Sequence, residues 1–455
     1  MEFQHVNPAT GETGPVQPYL DDAALDRVLA DAQTAFAAWR TTSFDERAAV
    51  VRKAATLLRE RKAAFARLMA VEMGKPLAQG EAEIEKCAGT CEFYADRAAD
   101  MLAYEPVTTD ASRSYVHYAP LGVVLAIMPW NFPFWQLFRF GAPALMAGNA
   151  VLLKHAPNVP GCARAIEAVL HEAGVPHDLG RNVFLSIEQT TAAIADARVQ
   201  AVTLTGSTRA GRAVAAAAGA ALKKTVLELG GSDPYVVLED ADVDAAAAAC
   251  VIGRMVNSGQ SCVAAKRWIV VDAVRDAFEA AVRTRLEAEV VGDPLDPTVT
   301  VGPLARVDLR DELARQVAES VDAGARVLLG GEPIDRPGAW HPVTLLGDVR
   351  PGMPAFDEEL FGPVATIVPA RDEAEALALA NQTPYGLGAA VFTADAARGE
   401  AIATRALDAG GCFVNTFVRS DPRLPFGGIK DSGYGRELGT HGIREFVNAK
   451  TVYVA

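Results

Sequence analysis

The stretch Ala201-Val202-Thr203-Leu204-Thr205-Gly206-Ser207-Thr208-Arg209-Ala210-Gly211 decides the fold class. An apolar and β-branched run ends in a glycine, and a helix opens directly after it behind a serine in the capping position. That is the strand-to-helix step of an α/β sheet. The same step recurs on both sides. Ala150–Lys154, Asn182–Leu185 and Thr225–Leu229 are further short apolar runs, and helices are predicted near 160–173, 188–196 and 209–221. Alternation of this kind predicts a mostly parallel sheet with helices on both faces. It resumes from 235 to about 415, which predicts a second open α/β unit.

Upstream, Leu25, Leu29, Ala32, Phe36 and Trp39 recur at helical spacing over 21–40. A second helix is predicted from Ser43, which can cap it, to about Met73, ahead of Gly74 and Pro76; a third spans 80–101. Ser112–Tyr118 alternates as a strand, Leu121–Met128 reads as a buried strand, and Thr451–Val454 as a terminal one.

The chain has 455 residues, 50% of them apolar and 22% charged, enough for more than one core. A net charge of −14 repels phosphate backbones, and no basic run offsets it, so nucleic acid is not expected as a partner. The six cysteines are scattered without disulfide-framework spacing. Cys87 and Cys91 fall on one helix face, where small core residues are the expected reading and a metal half-site the alternative. No run has the length of a membrane span and no signal segment is apparent, so a reduced, cytoplasmic protein is expected.

Two segments carry chemistry. Gly259-Gln260-Ser261-Cys262 offers a thiol in a tight glycine-flanked turn, and Leu227-Glu228-Leu229-Gly230-Gly231 puts a glutamate at the end of an apolar run. A thiol nucleophile and a carboxylate base are what is needed to attack a carbonyl and hydrolyse the resulting thioester. Asn131 lies between two prolines in Pro129-Trp130-Asn131-Phe132-Pro133. A locked amide there suits an oxyanion, although satisfying the turn's own backbone is the plainer use. Lys154 ends an apolar strand at the sheet edge where ligands bind, or else snorkels on a wet rim. Gly206-Ser207 at a helix N-terminus can hold an anion or simply cap the helix. Arg139, within Phe134–Phe140, needs a partner: a structural carboxylate or the far end of an anionic substrate.

These segments, with Glu359-Leu360-Phe361-Gly362-Pro363 and Pro425-Phe426-Gly427-Gly428-Ile429-Lys430, stand in the order found in the NAD(P)-dependent aldehyde dehydrogenase superfamily, which the chain resembles over essentially its whole length. Leu153–Val159 and Leu229–Pro234 more narrowly resemble the shorter bacterial succinate-semialdehyde dehydrogenases. The resemblance implies two Rossmann-like open-sheet domains, for cofactor (1–104 and 120–230) and catalysis (231–432). It adds a β-strand oligomerisation arm (105–119 and 433–455), hence a homodimer or homotetramer. It implies Cys262 as nucleophile, Glu228 as base and Asn131 as oxyanion donor. Lys154 and Glu359 would hold ribose hydroxyls and Ser207 the pyrophosphate, with Trp130 and Leu229 lining the cofactor.

Two departures from the family pattern sharpen the expectation. NAD-preferring relatives often carry a glutamate where this chain has Pro157, so nothing repels a 2′-phosphate; NADP is expected, with NAD as the alternative. Another succinate-semialdehyde branch has an arginine six residues before the cysteine, where this chain has Val256. Recognition of a substrate carboxylate then falls to Arg139, beside Trp135, helped by Ser420 or Arg423. Cys262 is followed by Val263 and Ala264, so no adjacent thiol is available for a disulfide. The expected reaction is oxidation of succinate semialdehyde to succinate. A broad-range aldehyde dehydrogenase, a CoA-acylating one and a non-catalytic relative are the alternatives; Glu228 argues against the second, and the retained Cys262–Glu228 pair against the third.

Overall fold

A computed structural model describes residues 2–455. Two open sheets organise it. The first has six strands in the order Gly433–Tyr434, Lys224–Glu228, Val199–Thr205, Val123–Met128, Ala150–His155, Gly180–Asn182, all parallel except the first. The second has seven, in the order Arg326–Leu329, Thr344–Gly347, Val364–Ala370, Ala265–Val271, Asp233–Val237, Gly388–Phe392, Gly411–Val414, again parallel but for the first. The two-unit α/β class expected from the alternation is therefore found.

The N-terminal helices cover the first sheet. Asp22–Trp39 is capped by Asp21, whose side chain accepts from Ala24 N–H at 2.6 Å. Phe44–Glu60 begins with a reciprocal Ser43–Glu46 capping box. The helix expected to run on to Met73 instead bends at Arg61 and continues as Lys62–Met73, ending on left-handed Gly74. Arg61 N–H still reaches Leu57 O at 3.2 Å, so the bend costs little backbone bonding. These helices, Leu77–Met101 and the sheet share one core that includes Trp39, Leu58, Met69, Tyr94 and Phe138. The second sheet is buried on both faces, with Val236, Ile269 and Val368 in one cluster and Tyr235, Trp268 and Ile367 in the other.

Several boundaries differ from expectation, the terminal strand, for one, beginning at Val447 and not Thr451. The strand expected at Asn182–Leu185 is Gly180–Asn182, because its ladder with Val151–Leu153 ends there while Val183 and Leu185 turn into the core. Gly433–Tyr434, expected in the arm, pairs with Lys224–Glu228 and closes the edge of the first sheet beside Glu228. The other strands in the segments expected to form the arm, Glu105–Pro106, Arg113–Pro120 and Val447–Val454, make a separate three-stranded antiparallel sheet. Among the described residues no helix is long and apolar enough to cross a membrane. All six cysteines are free, with Cys87 and Cys91 buried in the core, and no cluster of metal-ligating side chains occurs among the described residues.

Candidate active site

Cys262 lines a cavity of about 490 Å³ whose walls include Phe132, Trp135, Arg139, Ser420 and Phe426. The turn that carries it is strained. Asn257, Ser258 and Gly259 are consecutively left-handed, at φ 56°, 54° and 74°, a conformation that costs non-glycine residues about 1–2 kcal/mol each. Side chains hold it there. Asn257 Nδ2 donates to Asn131 O at 2.7 Å and Gln260 O at 3.0 Å, and Ser258 Oγ accepts from Gly302 N–H at 2.9 Å. A Cβ on Gly259 would lie 2.1 Å from Gly362 O, so this position has room for glycine alone.

Two buried cations clamp the same turn. Arg254 donates to the carbonyls of Gly259 (3.2 Å), Leu360 (2.8 Å), Gly362 (2.6 Å) and Val364 (2.6 Å). Lys266 Nζ donates to Ser261 O at 2.9 Å and Cys262 O at 2.8 Å, and pairs with Glu359 at 3.1 Å. Burial pushes the Cys262 thiol up to about 11, against the opposing pull of Arg139 and Lys266. At neutral pH Cys262 therefore rests as a thiol.

Asn131 is buried, and its Nδ2 donates to Gln260 O at 3.1 Å, leaving its second amide hydrogen uncommitted. No hydrogen bond engages the Cys262 backbone N–H among the described residues. Glu228 ends its strand fully buried, with neither carboxylate oxygen hydrogen-bonded among the described residues. Burial raises its pKa well above the ordinary range, with Arg139 opposing. It lies behind Gly427, on which a Cβ would come 2.7 Å from Glu228 Oε1, and does not itself line the cavity. General-base work thus requires the carboxyl to turn outward and lose its proton.

Ser207 caps the helix Thr208–Ala220 through Ala210 N–H at 3.3 Å, so its side chain is already used while the helix N-terminus stays open to an anion. Lys154 is half-buried at the carboxyl end of its strand, has no ion-pair partner among the described residues, and is lowered in pKa by burial alone. Pro157 is exposed beyond it. An unpaired lysine with no acid at that edge fits a phosphate-bearing ribose. Trp130 meets Phe361 edge-on at 5.7 Å, and Leu229 is buried against Leu204 and Leu227. Glu359 accepts from Gly231 N–H at 3.0 Å as well as pairing with Lys266.

The substrate side departs from the sequence reading. Arg139 Nε is paired with Glu437, its Nη2 donates to Thr205 Oγ1 at 3.1 Å, and its guanidinium lies over Phe426. Of the two partners expected for this guanidinium, a structural carboxylate or an anionic substrate, the first is present as Glu437, while Arg139 still contributes to the cavity wall. Arg423 is exposed and held by Asp421 at 2.5 Å, outside the cavity. Trp135 and Ser420 do line it.

Sequence reading missed the groups that set up this wall. Glu83, fully buried and paired with Lys75, accepts from the N–H groups of both Phe134 and Trp135 at 2.9 Å. It thereby caps the helix Pro133–Ala147, which has no cap of its own, just after Asn131. Lys75 also lies 4.0 Å from the Phe132 ring centroid. The charged pair Lys266-Arg267 inside an apolar strand was a readable signal; Glu83 was not, because its partners are remote in sequence. Removing one member of such a buried pair leaves an uncompensated charge, so Lys75→Met is expected to destabilise the protein by about 3–5 kcal/mol. The urea midpoint checks this, and an unshifted midpoint would contradict it.

Two open, mostly parallel sheets thus carry the half-buried Cys262 thiol just before the strand Ala265–Val271 and the buried Glu228 carboxyl at the end of Lys224–Glu228, the sheet-edge placement typical of doubly wound α/β enzymes. The chain belongs to the aldehyde dehydrogenase family, whose profile matches residues 1–452. It is 49% identical, over 100% of both chains, to a probable NADP(+) succinate-semialdehyde dehydrogenase of Synechocystis sp.. It is 46% identical to an NAD(P)+ succinate semialdehyde dehydrogenase of Escherichia coli, covering 98% of this chain and 97% of that one. A crystal structure of succinic semialdehyde dehydrogenase from Streptococcus pyogenes in complex with NADP+ superposes with a TM-score of 0.97 at 37% identity, over 99% of each chain.

Proposed function

We propose that this protein oxidises succinate semialdehyde to succinate, with NADP as the preferred hydride acceptor and NAD as a poorer one. The observation that carries the reading is Cys262 in a mostly apolar cavity with positive charge in its wall, in a chain 49% identical to a probable succinate-semialdehyde dehydrogenase. Lys154 and the open edge at Pro157 would take the 2′-phosphate ribose, and the Ser207 helix N-terminus the pyrophosphate. Trp130, Leu229 and Glu359 would hold the rest of the dinucleotide.

The reaction begins when Cys262 loses its proton and its thiolate adds to the aldehyde carbon. The oxyanion is received by the uncommitted Asn131 amide hydrogen and the Cys262 N–H. When bound, the nicotinamide supplies a hydride acceptor, and the cysteine adduct becomes a thioester. Glu228, turned outward and ionised, takes a proton from water; the hydroxide adds to the thioester carbonyl and Cys262 leaves as thiolate. Lys266 and Arg254 keep the turn fixed throughout.

Initial rates test the reading. We expect kcat/KM for succinate semialdehyde to exceed that for butyraldehyde by about 10- to 100-fold, the worth of one charge-assisted contact, with NADP favoured over NAD. Equal values for the two aldehydes would favour a broad-range aldehyde dehydrogenase. Six free cysteines agree with a reducing, cytoplasmic setting. The outer edge of Val447–Val454 is unpaired in this chain, which favours a symmetric oligomer joined at that strand.

A further inference from the structure

We propose that Lys86, steadied by Ser420, is the anion subsite of the substrate cavity and selects aldehydes that carry a carboxylate at their far end. This rests on the semialdehyde reading above and names the residue responsible for it. Lys86 projects from the helix Leu77–Met101 into the cavity wall. Its Nζ donates to Ser420 Oγ at 2.6 Å and lies 4.2 Å from the Trp135 ring centroid. An ammonium group has three donors, so two remain.

What singles Lys86 out is the lack of a counter-ion. Arg139, Lys75 and Lys266, buried nearby, are matched by Glu437, Glu83 and Glu359, and Arg254 spends its donors on four backbone carbonyls. Lys86 has no ion-pair partner among the described residues. Glu83, three residues earlier on the same helix, is committed to Lys75 and to the N–H groups of Phe134 and Trp135. Phe132, Trp135, Met255, Phe417 and Phe426 make the surroundings apolar. A desolvated ammonium in such a wall is costly when empty and favourable when a carboxylate arrives.

The charged and titratable groups facing Nζ are Arg139 from the helix Pro133–Ala147, Glu83 and Cys87 from its own helix, and Cys262 from the nucleophile turn. Arg419 and Glu289 line the cavity further out. Burial, with Arg139 adding to it, brings Lys86 down to about 8. The ammonium thus predominates below that pH and is lost as pH rises through it.

The test is the ratio of kcat/KM for succinate semialdehyde to that for butyraldehyde, measured in the wild type, Lys86→Met and Lys86→Arg. Lys86→Met is expected to lower the ratio about 10- to 100-fold, mainly through KM for the semialdehyde, and Lys86→Arg to recover most of it. The wild type needs no substitution: its ratio should fall as pH rises above about 8, because ionisation of Cys262 affects both substrates and cancels. A wild type that discriminates, with a ratio unmoved by Lys86→Met, overturns the subsite and leaves the semialdehyde reading intact. A discriminating wild type with a flat pH profile does the same if Lys86→Met fails to fold. A wild type that does not discriminate overturns both.

Discussion

Cys262→Ala is expected to lower kcat by about 10⁴-fold or more, with dinucleotide binding retained. Among the described residues no other thiol lines the cavity, and the neighbouring side chains Ser261 and Val263 offer no comparable nucleophile. The thiol rests at about 11, so at neutral pH only a small fraction is thiolate. Within the range where this ionisation limits, kcat/KM for an uncharged aldehyde should therefore climb with pH, by up to about tenfold per unit. Steady-state NADPH formation by wild type and variant checks the first expectation; residual activity of a tenth or more would remove Cys262 from the role.

Glu228→Gln is expected to separate the two halves of the reaction. Hydride transfer needs the thiol, whereas thioester hydrolysis needs a base. The variant should therefore give a first-turnover burst of NADPH near one equivalent per site, followed by turnover slowed about 10²- to 10⁴-fold. The same carboxyl makes a stability prediction with a definite sign. Its folded pKa lies well above the ordinary value of 4.5, so the folded chain holds a proton that the unfolded chain releases. The contribution of neutral Glu228 is complete below 4.5 and is lost as pH rises toward the folded pKa. Glutamine, neutral at every pH, should raise stability relative to wild type as pH increases from 4.5 toward the folded pKa. Lost burst amplitude, or a kcat within a few-fold of wild type, would contradict the assignment.

Much of this arrangement was legible from local sequence. The strand-to-helix steps at Thr205-Gly206 and His155–Pro160 are set by glycine and proline punctuation, and the Ser43 cap by a Ser–Glu spacing of three. Cys262, Glu228, Asn131 and Lys154 were readable because each sits at a strand end or in a proline- or glycine-bounded turn. What stayed hidden depends on side chains meeting across the fold. Lys86 and Ser420 are 334 residues apart, and Arg139 and Glu437 are 298 apart. An arginine in an apolar helix advertises that it needs a carboxylate without saying which. Arg139 accordingly reads as a ligand group until Glu437 is seen beside it. The bend at Arg61 escaped notice for a different reason: apolar residues continue on both sides of it, and no glycine or proline marks it.

The most direct measurement is the intact mass of Glu228→Gln after mixing with NADP and succinate semialdehyde, followed by mapping of the adduct. One succinyl group per chain, on the peptide that carries Cys262 and absent without NADP, is the predicted result. It would fix the nucleophile, the oxidation step and the acyl group together. An unmodified chain that has nonetheless formed NADPH, or an adduct on another residue, would contradict thioester chemistry at Cys262.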